Sequence, residues 1–338
     1  MTEEYISLAH GNGGRLTREL IDKVFVQYGQ HPLLDTVNDA ATMSLPNQTI
    51  CMTTDSFTVQ PLEFPGGNVG SLAVHGTVND LSVSGATPLY LSTSFIIEEG
   101  VSMACLIRVV KAMAEAAHKA NVSIVTGDTK VVPKGQGGGI YINTAGIGLK
   151  KTHTQFDIKR LSAGDHIVIS GPIGDHGVAV LLARDEFGLD SQLISDSASV
   201  YPFVEAIDTI DGVKFLRDPT RGGIAMAMHE MAQATNLSIR LNEAAIPLSG
   251  QVESVCNMLG FDPYYLACEG RVVAVVAPEV SEEVVRRWQA CTHGQNAAII
   301  GEVLPCQEQY HCPVSLVTHI GGERLLDELE DDPLPRIC

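Results

Sequence analysis

The chain has 338 residues, which is enough for two domains with separate hydrophobic cores. Its 40 acidic and 22 basic residues give a net charge of −18, which argues against nucleic acid or an anionic membrane as the main partner. No segment has the pattern of a signal peptide or the length of a membrane span, so we expect a cytoplasmic protein with no membrane partner. In that compartment its eight cysteines are expected to stay reduced.

The first glycine-rich segment leads into a predicted helix. Gly11, Asn12, Gly13 and Gly14 follow His10, and apolar residues then recur at helical spacing. A glycine-rich turn at a helix start presents backbone N–H groups to an anion, which is one interpretation of this segment. Such starts are common, so a plain helix N-terminus is the alternative.

Two predicted strands of the N-terminal half lead directly into aspartates. Residues 49–54 run into Asp55, and residues 122–126 are followed by Asp128. Ligands collect beyond the carboxyl ends of strands in open α/β sheets, so we expect both carboxylates at a shared ligand site. Each aspartate alone is more simply explained as a cap or a turn residue.

The predicted helix between these strands, residues 68–84, contains an unusual polar pair. Asn68 is a suitable N-cap, as Ser102 is for the next predicted helix, whereas Asn79 and Asp80 are poor helix formers within an apolar pattern. Mg²⁺ prefers a few carboxylates together with phosphate oxygens. Taken with the two strand-end aspartates, this pair therefore predicts a Mg-nucleotide site; for the pair alone, plain solvent exposure is the alternative.

The C-terminal half repeats the order of strand, glycine loop and helix. A strand at residues 166–170 leads to the glycine loop 171–177, and residues 217–223 open a helix over 224–234. Arg221 stands beside glycines at that helix start, where it is placed to bind a phosphate, although an ordinary N-cap also explains the segment. The two halves therefore predict paired α/β domains.

A nucleotide would need an unusual cradle in this chain. No P-loop motif occurs, and no dinucleotide-binding glycine fingerprint lies between a strand and a helix. A further glycine-containing segment, residues 267–271 (ACEGR), leads into a strand predicted at residues 272–277.

The chain ends in two prolines and a cysteine. Pro333 and Pro335 favour extended backbone, so we expect residues 326–338 to form a mobile tail that carries Cys338. Eight extended residues reach roughly 26–29 Å, enough to move a thiol between two sites. The alternative is a frayed terminus whose last residue happens to be cysteine.

Two other groups of cysteines give only a weak indication of zinc. Cys291 lies near His293, and Cys306 lies near His311 and Cys312, but neither spacing matches a standard zinc motif. We therefore expect separate thiols here.

Seven motifs resemble those of the HypE family, the hydrogenase maturation carbamoyl dehydratases of the PurM-like (AIR synthase-related) ATP-binding superfamily. The resemblance extends over nearly the whole chain, with no departure at the motif positions. Several motifs are shared with other PurM-like enzymes, whereas a terminal cysteine after Pro-Arg-Ile marks HypE in particular. The motifs are HGNGG at residues 10–14, TTDSF at 53–57, FPGG at 64–67, GTVNDL at 76–81, GDTKVV at 127–132, DPTRGG at 218–223 and PRIC at 335–338.

The resemblance implies a two-domain α/β (α+β) fold of the PurM-like type. The N-terminal domain, residues 1–160, would bind ATP and form a homodimer, with the sheets of two copies joined into a β-barrel. A C-terminal α/β domain would span residues 161–325, and the flexible tail 326–338 would follow it.

The resemblance also implies an activity and its partners. The thiol of Cys338 would receive a carbamoyl group from the carbamoyltransferase HypF, and ATP would drive dehydration of that group to a thiocyanate. The cyanide would then pass to the HypC–HypD complex for the iron centre of nickel–iron hydrogenase.

The motif match places the ATP and Mg²⁺ site in the N-terminal half. Asp55, Asn79, Asp80 and Asp128 would hold Mg²⁺ and the triphosphate, while the glycine-rich segment 10–14 closes over the phosphates.

The chemistry of dehydration suggests roles for further residues. An amide oxygen leaves readily once it is phosphorylated, and a base then removes the N–H protons. Lys130 and Arg221 can neutralise phosphoryl charge. We predict Glu269 as the base and Lys130 as the group that stabilises the charged oxygen. His75 is a weaker candidate, which packing or solvent exposure explains more simply.

Two alternatives remain open. A PurM-like kinase or ligase, such as a selenophosphate or thiamine-phosphate enzyme, would share the Mg-ATP motifs without requiring Cys338. A non-catalytic scaffold or carrier would keep the tail and bind a nucleotide without turning it over.

Overall fold

The computed structural model describes residues 5–7, 20–29, 49–184, 188, 192–306 and 313–328. These residues fall into two compact units: one holds those up to Leu81 together with Ala86–Lys150, and the other holds Ser82–Gly85 and those from Lys151 onward. The glycine-rich segment 10–14 and residues 329–338, which include Cys338, lie outside the described residues.

The first unit is a four-stranded sheet with two long helices. Its elements are β1 (Ile50–Phe57), β2 (Glu63–Phe64), β3 (Gly67–Asn68), α1 (Val69–Val83, whose last two residues belong to the second unit), β4 (Ala86–Glu98), α2 (Met103–Lys119), β5 (Ser123–Val132) and β6 (Ile140–Lys150), preceded by a π-helical stretch (Ile21–Val26) that continues as a short α-helix (Gln27–Gly29). The strands lie in the order β1-β6-β4-β5, with only β4 and β5 parallel, and β2 pairs with β3.

Both predicted N-caps of these helices are confirmed. Asn68 Oδ1 accepts hydrogen bonds from the backbone N–H groups of Gly70 (2.9 Å) and Ser71 (3.2 Å) at the start of α1. Ser102 Oγ accepts one from the N–H of Cys105 (3.2 Å) at the start of α2. These bonds satisfy N–H groups that have no partner inside the helix.

Strand alternation gives the four-stranded sheet one covered and one open face. Helix α1 covers the face on which Phe57 lies, because a Cβ at Gly76 would come within 2.6 Å of the Phe57 ring. The open face carries exposed apolar side chains: Ile50 is 45% exposed, Met52 70% and Ile96 42%. The register of β1, β6 and β4 places all three on that same face.

Asp55 and Asp128 lie inside strands, and the prediction that they follow strand ends is wrong. Asp55 pairs with Thr144 of β6, and Asp128 pairs with Ser94 of β4. The ladders continue because the neighbouring strands bond the backbone, which outweighs the low strand propensity of aspartate. Since β1 and β5 are opposite edges of a largely antiparallel sheet, the rule for the ends of parallel strands does not apply here.

The second unit is a seven-stranded sheet with helices on both faces. Its elements are β7 (His166–Ile169), α3 (Asp175–Ala183), α4 (Tyr201–Ile207), β8 (Val213–Arg217), α5 (Gly223–Thr235), β9 (Ser238–Asn242), α6 (Gly250–Leu259), β10 (Val273–Val276), α7 (Ser281–Gln289), β11 (Ala298–Leu304), β12 (Val314–Val317) and β13 (Glu323–Leu325), with 3₁₀ turns at Ile158–Arg160, Glu243–Ala245, Pro263–Tyr265 and Pro278–Val280. The strand order is β13-β12-β9-β11-β7-β10-β8. Successive residues of β7 enter different cores, Ile167 and Ile169 packing with Met228 and Val168 with Trp288. The predicted mixed α/β class is confirmed.

The cysteines differ from expectation at one position. Cys306 is disulfide-bonded, so the prediction that all eight cysteines stay reduced is wrong for this residue. The expected cellular compartment indicates whether thiols stay reduced in general, but it does not indicate which thiols the fold brings together. Free thiols occur at Cys51, Cys105, Cys256, Cys268 and Cys291. No helix in the described ranges is long and apolar enough to cross a membrane.

Candidate active site

Helix α1 and strand β1 hold polar side chains together on the covered face of the first sheet, in what we call the β1–α1 seam (Thr53, Asp55, Gly76, Asn79 and Asp80). Thr53 Oγ1 donates a 2.9 Å hydrogen bond to Asp80 Oδ2. Asp55 Oδ2 lies 3.8 Å from the position that a Cβ would occupy at Gly76. Gly76 and Asp80 are about one helical turn apart, so both carboxylates line the same seam.

Asn79 is only 1% exposed, so solvent exposure does not explain it. The helix tolerates polar side chains here because the neighbouring layer is also polar and bonded. Thr77 and Thr144 are both fully buried and share a short hydrogen bond between their hydroxyl groups. Thr144 Oγ1 also donates to the carbonyl oxygen of Ala73 at 3.1 Å.

The donors of the seam are of the type that Mg²⁺ takes. Carboxylate and amide oxygens from Asp55, Asn79 and Asp80 are hard ligands, and none of these donors is sulfur or imidazole. Among the described residues no group of three His, Cys, Asp or Glu side chains is close enough to form a cage for a metal ion. The seam therefore fits a Mg²⁺ that keeps several ligands from phosphate or water.

Asp128 and Lys130 lie apart from the seam within the first unit. Both are exposed residues of the edge strand β5. Asp128 pairs with Ser94 of β4, and the residues on either side of Ser94 are buried on the covered face. Because successive side chains of a strand point to opposite faces, Asp128 and Lys130 point to the open face. Asp55 and Asp80 thus both line the seam, where Asn79 is the neighbour of Asp80 along α1, and Asp128 lies on the other face of the sheet.

His75 of α1 is poorly suited to act as a base at neutral pH. Burial, helped by the positive charge of Lys119, lowers the pKa of His75 to about 4. A catalytic base works best with a pKa near the operating pH. This value favours the packing explanation of His75.

In the second unit, the backbone of the Glu269 segment (residues 267–272) is hydrogen-bonded to other segments at most positions. Cys268 N–H donates to the carbonyl oxygen of Pro219 at 3.1 Å, and Glu269 N–H to Asp196 Oδ1 at 3.1 Å. The carbonyl oxygen of Glu269 accepts from Ala198 N–H at 3.3 Å. The segment is therefore held in one path although it precedes β10 and is not itself a strand.

Arg271 and two aspartates form a buried charged cluster beside this segment. Arg271 Nε lies 3.4 Å from Asp196 Oδ2, and Nη2 lies 3.7 Å from Asp175 Oδ2. Burial raises the pKa of both aspartates, and Arg271 opposes that shift. Glu269 itself is 3% exposed, so a carboxylate and a buried ion cluster are adjacent along the chain.

The structure also brings the Arg221 segment to the Glu269 segment. Besides the Pro219–Cys268 bond, a Cβ at Gly223 would come within 2.6 Å of the carbonyl oxygens of Tyr264 and Leu266, so only glycine fits at the start of α5. Arg221 is exposed at this helix start. Arg221 and Glu269 are thus carried by two neighbouring loops of one unit.

The remaining predicted site residues lie outside the described residues. These are Gly11, Asn12, Gly13, Gly14 and Cys338.

The sequence did not indicate three residues that the structure places at these sites. Thr53 bonds Asp80, and Asp196 and Arg271 enclose the Glu269 segment. Thr53 and Arg271 lie within quoted motifs but had no assigned role. Asp196 had no signal, because it precedes Glu269 by 73 residues in a loop with ordinary composition.

Comparison with known proteins places the chain among AIR synthase related proteins. Residues 37–150 match the N-terminal domain of that family, and residues 162–311 match its C-terminal domain.

Similarity to individual proteins covers nearly the whole chain. The carbamoyl dehydratase HypE of Rhizobium leguminosarum bv. viciae is 44% identical over 335 residues, 98% of this chain and 95% of that protein. A crystal structure of the hydrogenase maturation protein HypE in complex with ATP superposes with a TM-score of 0.93 at 44% identity, covering 98% of this chain and 99% of the other. A HypE–HypF complex matches with a TM-score of 0.80 at 43% identity, covering 92% and 99%.

A more distant likeness concerns the fold alone. Thiamine monophosphate kinase from Aquifex aeolicus has a TM-score of 0.58 at 17% identity, covering 92% of this chain and 99% of that one. The relation to a thiamine-phosphate enzyme is therefore one of architecture.

Proposed function

Because this chain belongs to the HypE family of AIR synthase related proteins, we propose that it is a carbamoyl dehydratase of hydrogenase maturation. The reaction we infer converts a carbamoyl group on the thiol of Cys338 into a thiocyanate at the expense of ATP. The product would supply the cyanide ligand for the iron centre of nickel–iron hydrogenase. The observation that carries the proposal is likeness across 98% of the chain to a relative named carbamoyl dehydratase.

The inferred reaction balances with one ATP per cyanide. The carbamoyl oxygen takes the terminal phosphoryl group of ATP, which releases ADP. The C–O bond then breaks as phosphate leaves, two N–H protons are lost and a C≡N bond forms. ATP is needed because an unactivated amide oxygen is a poor leaving group at neutral pH.

The β1–α1 seam is the part of the first unit that we assign to Mg-ATP. Asp55, Asn79 and Asp80 would hold Mg²⁺, whose role is to neutralise charge on the phosphates. Residues 10–14 would complete the proposed set of ATP contacts at the seam, whereas Asp128 lies on the open face, on the other side of the sheet. The crystal structure of a relative with ATP supports nucleotide binding by this family.

We assign the base to Glu269, supported by the fixed path of its backbone and by its burial at 3% exposure. A held carboxylate loses little entropy when it takes a proton from the substrate nitrogen. Lys130 and Arg221 would stabilise the negative charge of the transferred group. Cys338 carries the substrate.

The open face of the first sheet supports a homodimer. Met52, Ile50 and Ile96 leave an apolar surface that a second copy of the same sheet would bury, as in a closed barrel. The face is also where Asp128 lies, so dimer formation would change the surroundings of that carboxylate.

We also propose the partners and location that this role requires. HypF would deliver the carbamoyl group, and a solved HypE–HypF complex among the similar structures supports this partner. The HypC–HypD complex would accept the cyanide. We propose that the chain acts in the cytoplasm, and we expect neither membrane nor nucleic acid as a partner.

Mass spectrometry of the C-terminal peptide tests the proposed function. The full-length protein is incubated with HypF, carbamoyl phosphate and ATP, and the peptide that contains Cys338 is weighed. We expect a carbamoyl adduct that loses the mass of water only when ATP is available to this chain.

The controls separate the possible failures. Cys338→Ser removes the acceptor and should give no adduct, while HypF is shown to be active on a known acceptor. An unmodified wild-type peptide with active HypF, or full dehydration in the Cys338→Ser variant, would contradict the proposal. Turnover of ATP without any adduct would favour the kinase alternative, and nucleotide binding without turnover would favour the scaffold.

A further inference from the structure

The backbone at Glu269 is not held by regular secondary structure. Helices and strands orient side chains by their regular backbone, but residues 267–272 precede β10, which begins at Val273. A misplacement of about 1 Å at a reacting group can cost on the order of 100-fold in rate. Something outside regular secondary structure must therefore fix the peptide at Glu269.

The carboxylate of Asp196 contacts this peptide on both sides of Gly270. Its Oδ1 accepts the N–H of Glu269 at 3.1 Å, and its Oδ2 lies 3.4 Å from Nε of Arg271. The N–H of Gly270 also bonds to Asp196. One buried side chain thus spans three consecutive residues of the Glu269 segment.

The backbones are in contact at the same point. A Cβ at Gly270 would lie 1.8 Å from the carbonyl oxygen of Asp196 and 3.1 Å from the nitrogen of Ala198. No larger residue fits at 270 without moving one of the two segments. The close approach means that a shift of the Asp196 loop is transmitted directly to the peptide of Glu269.

Both contacting groups are anchored elsewhere in the second unit. Arg271 donates through Nε to the carbonyl oxygen of Pro172 (2.9 Å) and through Nη1 to that of His293 (3.1 Å). On the Asp196 side, Ser195 Oγ is 2.8 Å from Nδ1 of the fully buried His176. The Glu269 peptide is therefore connected to the rest of the second unit by two separate sets of contacts.

A carboxylate at position 196 lowers the stability of the folded protein. Asp196 Oδ2 is buried and has no hydrogen-bond partner among the described residues. Burial of such an oxygen costs stability, and its distance from Arg271 leaves the ion pair without a direct hydrogen bond. The carboxylate of Asp196 is therefore buried against the peptide of the proposed base at a cost in stability.

We propose that Asp196 is a positioning residue for dehydration, which sets the direction of Glu269 by accepting its N–H and bracketing Gly270. The proposal rests on the proposed function, in which Glu269 is the base. It extends that function to a residue 73 positions away along the chain.

The first test is a double-mutant cycle on dehydration of the carbamoylated full-length protein in a single turnover. Asp196→Ala should lower the rate by about 10- to 100-fold when Glu269 is intact. In a Glu269→Gln background the same change should cost less than about 3-fold, because a residue that acts through Glu269 has little further effect once the base is gone. Affinity for ATP should stay within about 2-fold, since no ATP contact is removed.

The conservative variant distinguishes placement from charge. Asp196→Asn keeps a carbonyl oxygen for the N–H of Glu269, so it should recover the rate to within about 5-fold of wild type. Equal losses for Asp196→Asn and Asp196→Ala, or equal losses for Asp196→Ala in both backgrounds, would overturn the proposal.

Asp165→Ala is the matched control. Asp165 is another buried aspartate of the same unit, 3% exposed and paired with Lys214 at 2.7 Å, and its hydrogen bonds go to Ser162, Lys214 and Val303 rather than to the Glu269 segment. It should lower the melting temperature in the same way as Asp196→Ala and leave the rate of dehydration within about 2-fold. A fall as large as that of Asp196→Ala would mean that general destabilisation explains the effect, and the proposal would fail.

Amide hydrogen exchange keeps the inference separate from the proposed function. Asp196→Ala should speed exchange in the peptide that contains Glu269 and Gly270 by at least about 10-fold, and Asp165→Ala should not. Unchanged exchange sinks the inference even if the enzyme is active. Inactive wild type with faster exchange in the variant sinks the proposed function and leaves the placement intact. If Asp196→Ala does not fold, Arg271→Lys replaces it in both tests, with the same expected losses.

Discussion

Single residues show how far burial can decide a chemical role. His75 and Glu269 were both candidates for the base, and the sequence favoured Glu269. The structure gives His75 a pKa of about 4 and holds Glu269 by its backbone. A histidine that stays neutral down to such a pH contributes packing, whereas a positioned carboxylate can take a proton.

His75 should make stability depend on pH. Its folded-state pKa of about 4 lies below the ordinary value of 6.5, so the unfolded chain binds a proton first as the pH falls. Stability is therefore fully present above pH 6.5 and is lost progressively toward pH 4, by about 3 kcal/mol. His75→Gln should lack this part of the loss, measured as the difference between the two proteins in urea unfolding at pH 7.5 and pH 4.5.

The same variant tests the role of His75 in catalysis. Dehydration by His75→Gln should stay within about 3-fold of wild type, because no proton transfer is assigned to this residue. A collapse of the rate with unchanged ATP affinity would transfer the role of base from Glu269 to His75.

Residues that act across long sequence separations could not be predicted. Glu269 and Arg221 stood out because each lies in a compact glycine-containing motif, and the structure brings their loops together. Asp196 did not, since its contacts come from parts of the chain that meet only in the folded unit. Local motifs can be recognised in a single sequence, whereas contacts between distant parts of the chain cannot.

At the scale of elements, the caps and the periodicity of helices were predicted more accurately than the strand ends. Asn68 and Ser102 cap their helices as expected because an N-cap is a local arrangement of a few residues. The strands through Asp55 and Asp128 continue past the aspartates because pairing with a neighbour decides where a strand stops. That neighbour is not visible in a local window.

Strand β1 carries a residue that tests the proposed dimer interface. Met52, 70% exposed on the open face, should lie in the proposed dimer interface. Met52→Asp buries a charge there and should shift the protein from dimer to monomer, with a loss of at least about 2 kcal/mol in association. Sedimentation velocity over a range of concentrations measures the change.

A second exposed methionine provides the control for this change. Met258 of α6 is 62% exposed in the second unit, so Met258→Asp adds the same charge away from the sheet. It should leave the sedimentation of the protein unchanged. If Met52→Asp sediments like wild type, the open face is not the interface and the homodimer would have to form elsewhere.

For the whole molecule, the residues proposed for ATP binding differ from the residue proposed to carry the carbamoyl group. The proposed reaction should therefore divide into separable steps. In the proposed function, the seam on α1 and β1 binds ATP, and the thiol of Cys338 accepts the carbamoyl group from HypF. A defect in the seam should therefore stop dehydration without preventing the thiol from being loaded.

Asp55→Ala tests this separation. It should abolish the stabilisation that Mg-ATP gives wild type, which at 100 times the dissociation constant is about 2.7 kcal/mol. Thermal unfolding with and without Mg-ATP measures that change, and mass spectrometry should find the carbamoyl adduct on Cys338 undiminished but not dehydrated. Loss of the adduct as well would show that Asp55 has a role outside ATP binding. Thr54→Ala, an exposed neighbour on the other face of β1, is the control and should behave as wild type.

The contacts of the Glu269 segment also set an order in which the protein can become active during synthesis. The groups that hold it lie at Pro172, Asp196, Pro219 and His293, so the segment acquires its path only after the chain has been made well beyond Glu269 itself. Contacts of such large sequence separation form late in folding. A nascent chain that has not reached His293 would therefore possess the seam and the Glu269 carboxylate without the fixed path of that segment, so placement of the proposed base, like the substrate thiol of Cys338, would come only with the last part of the chain.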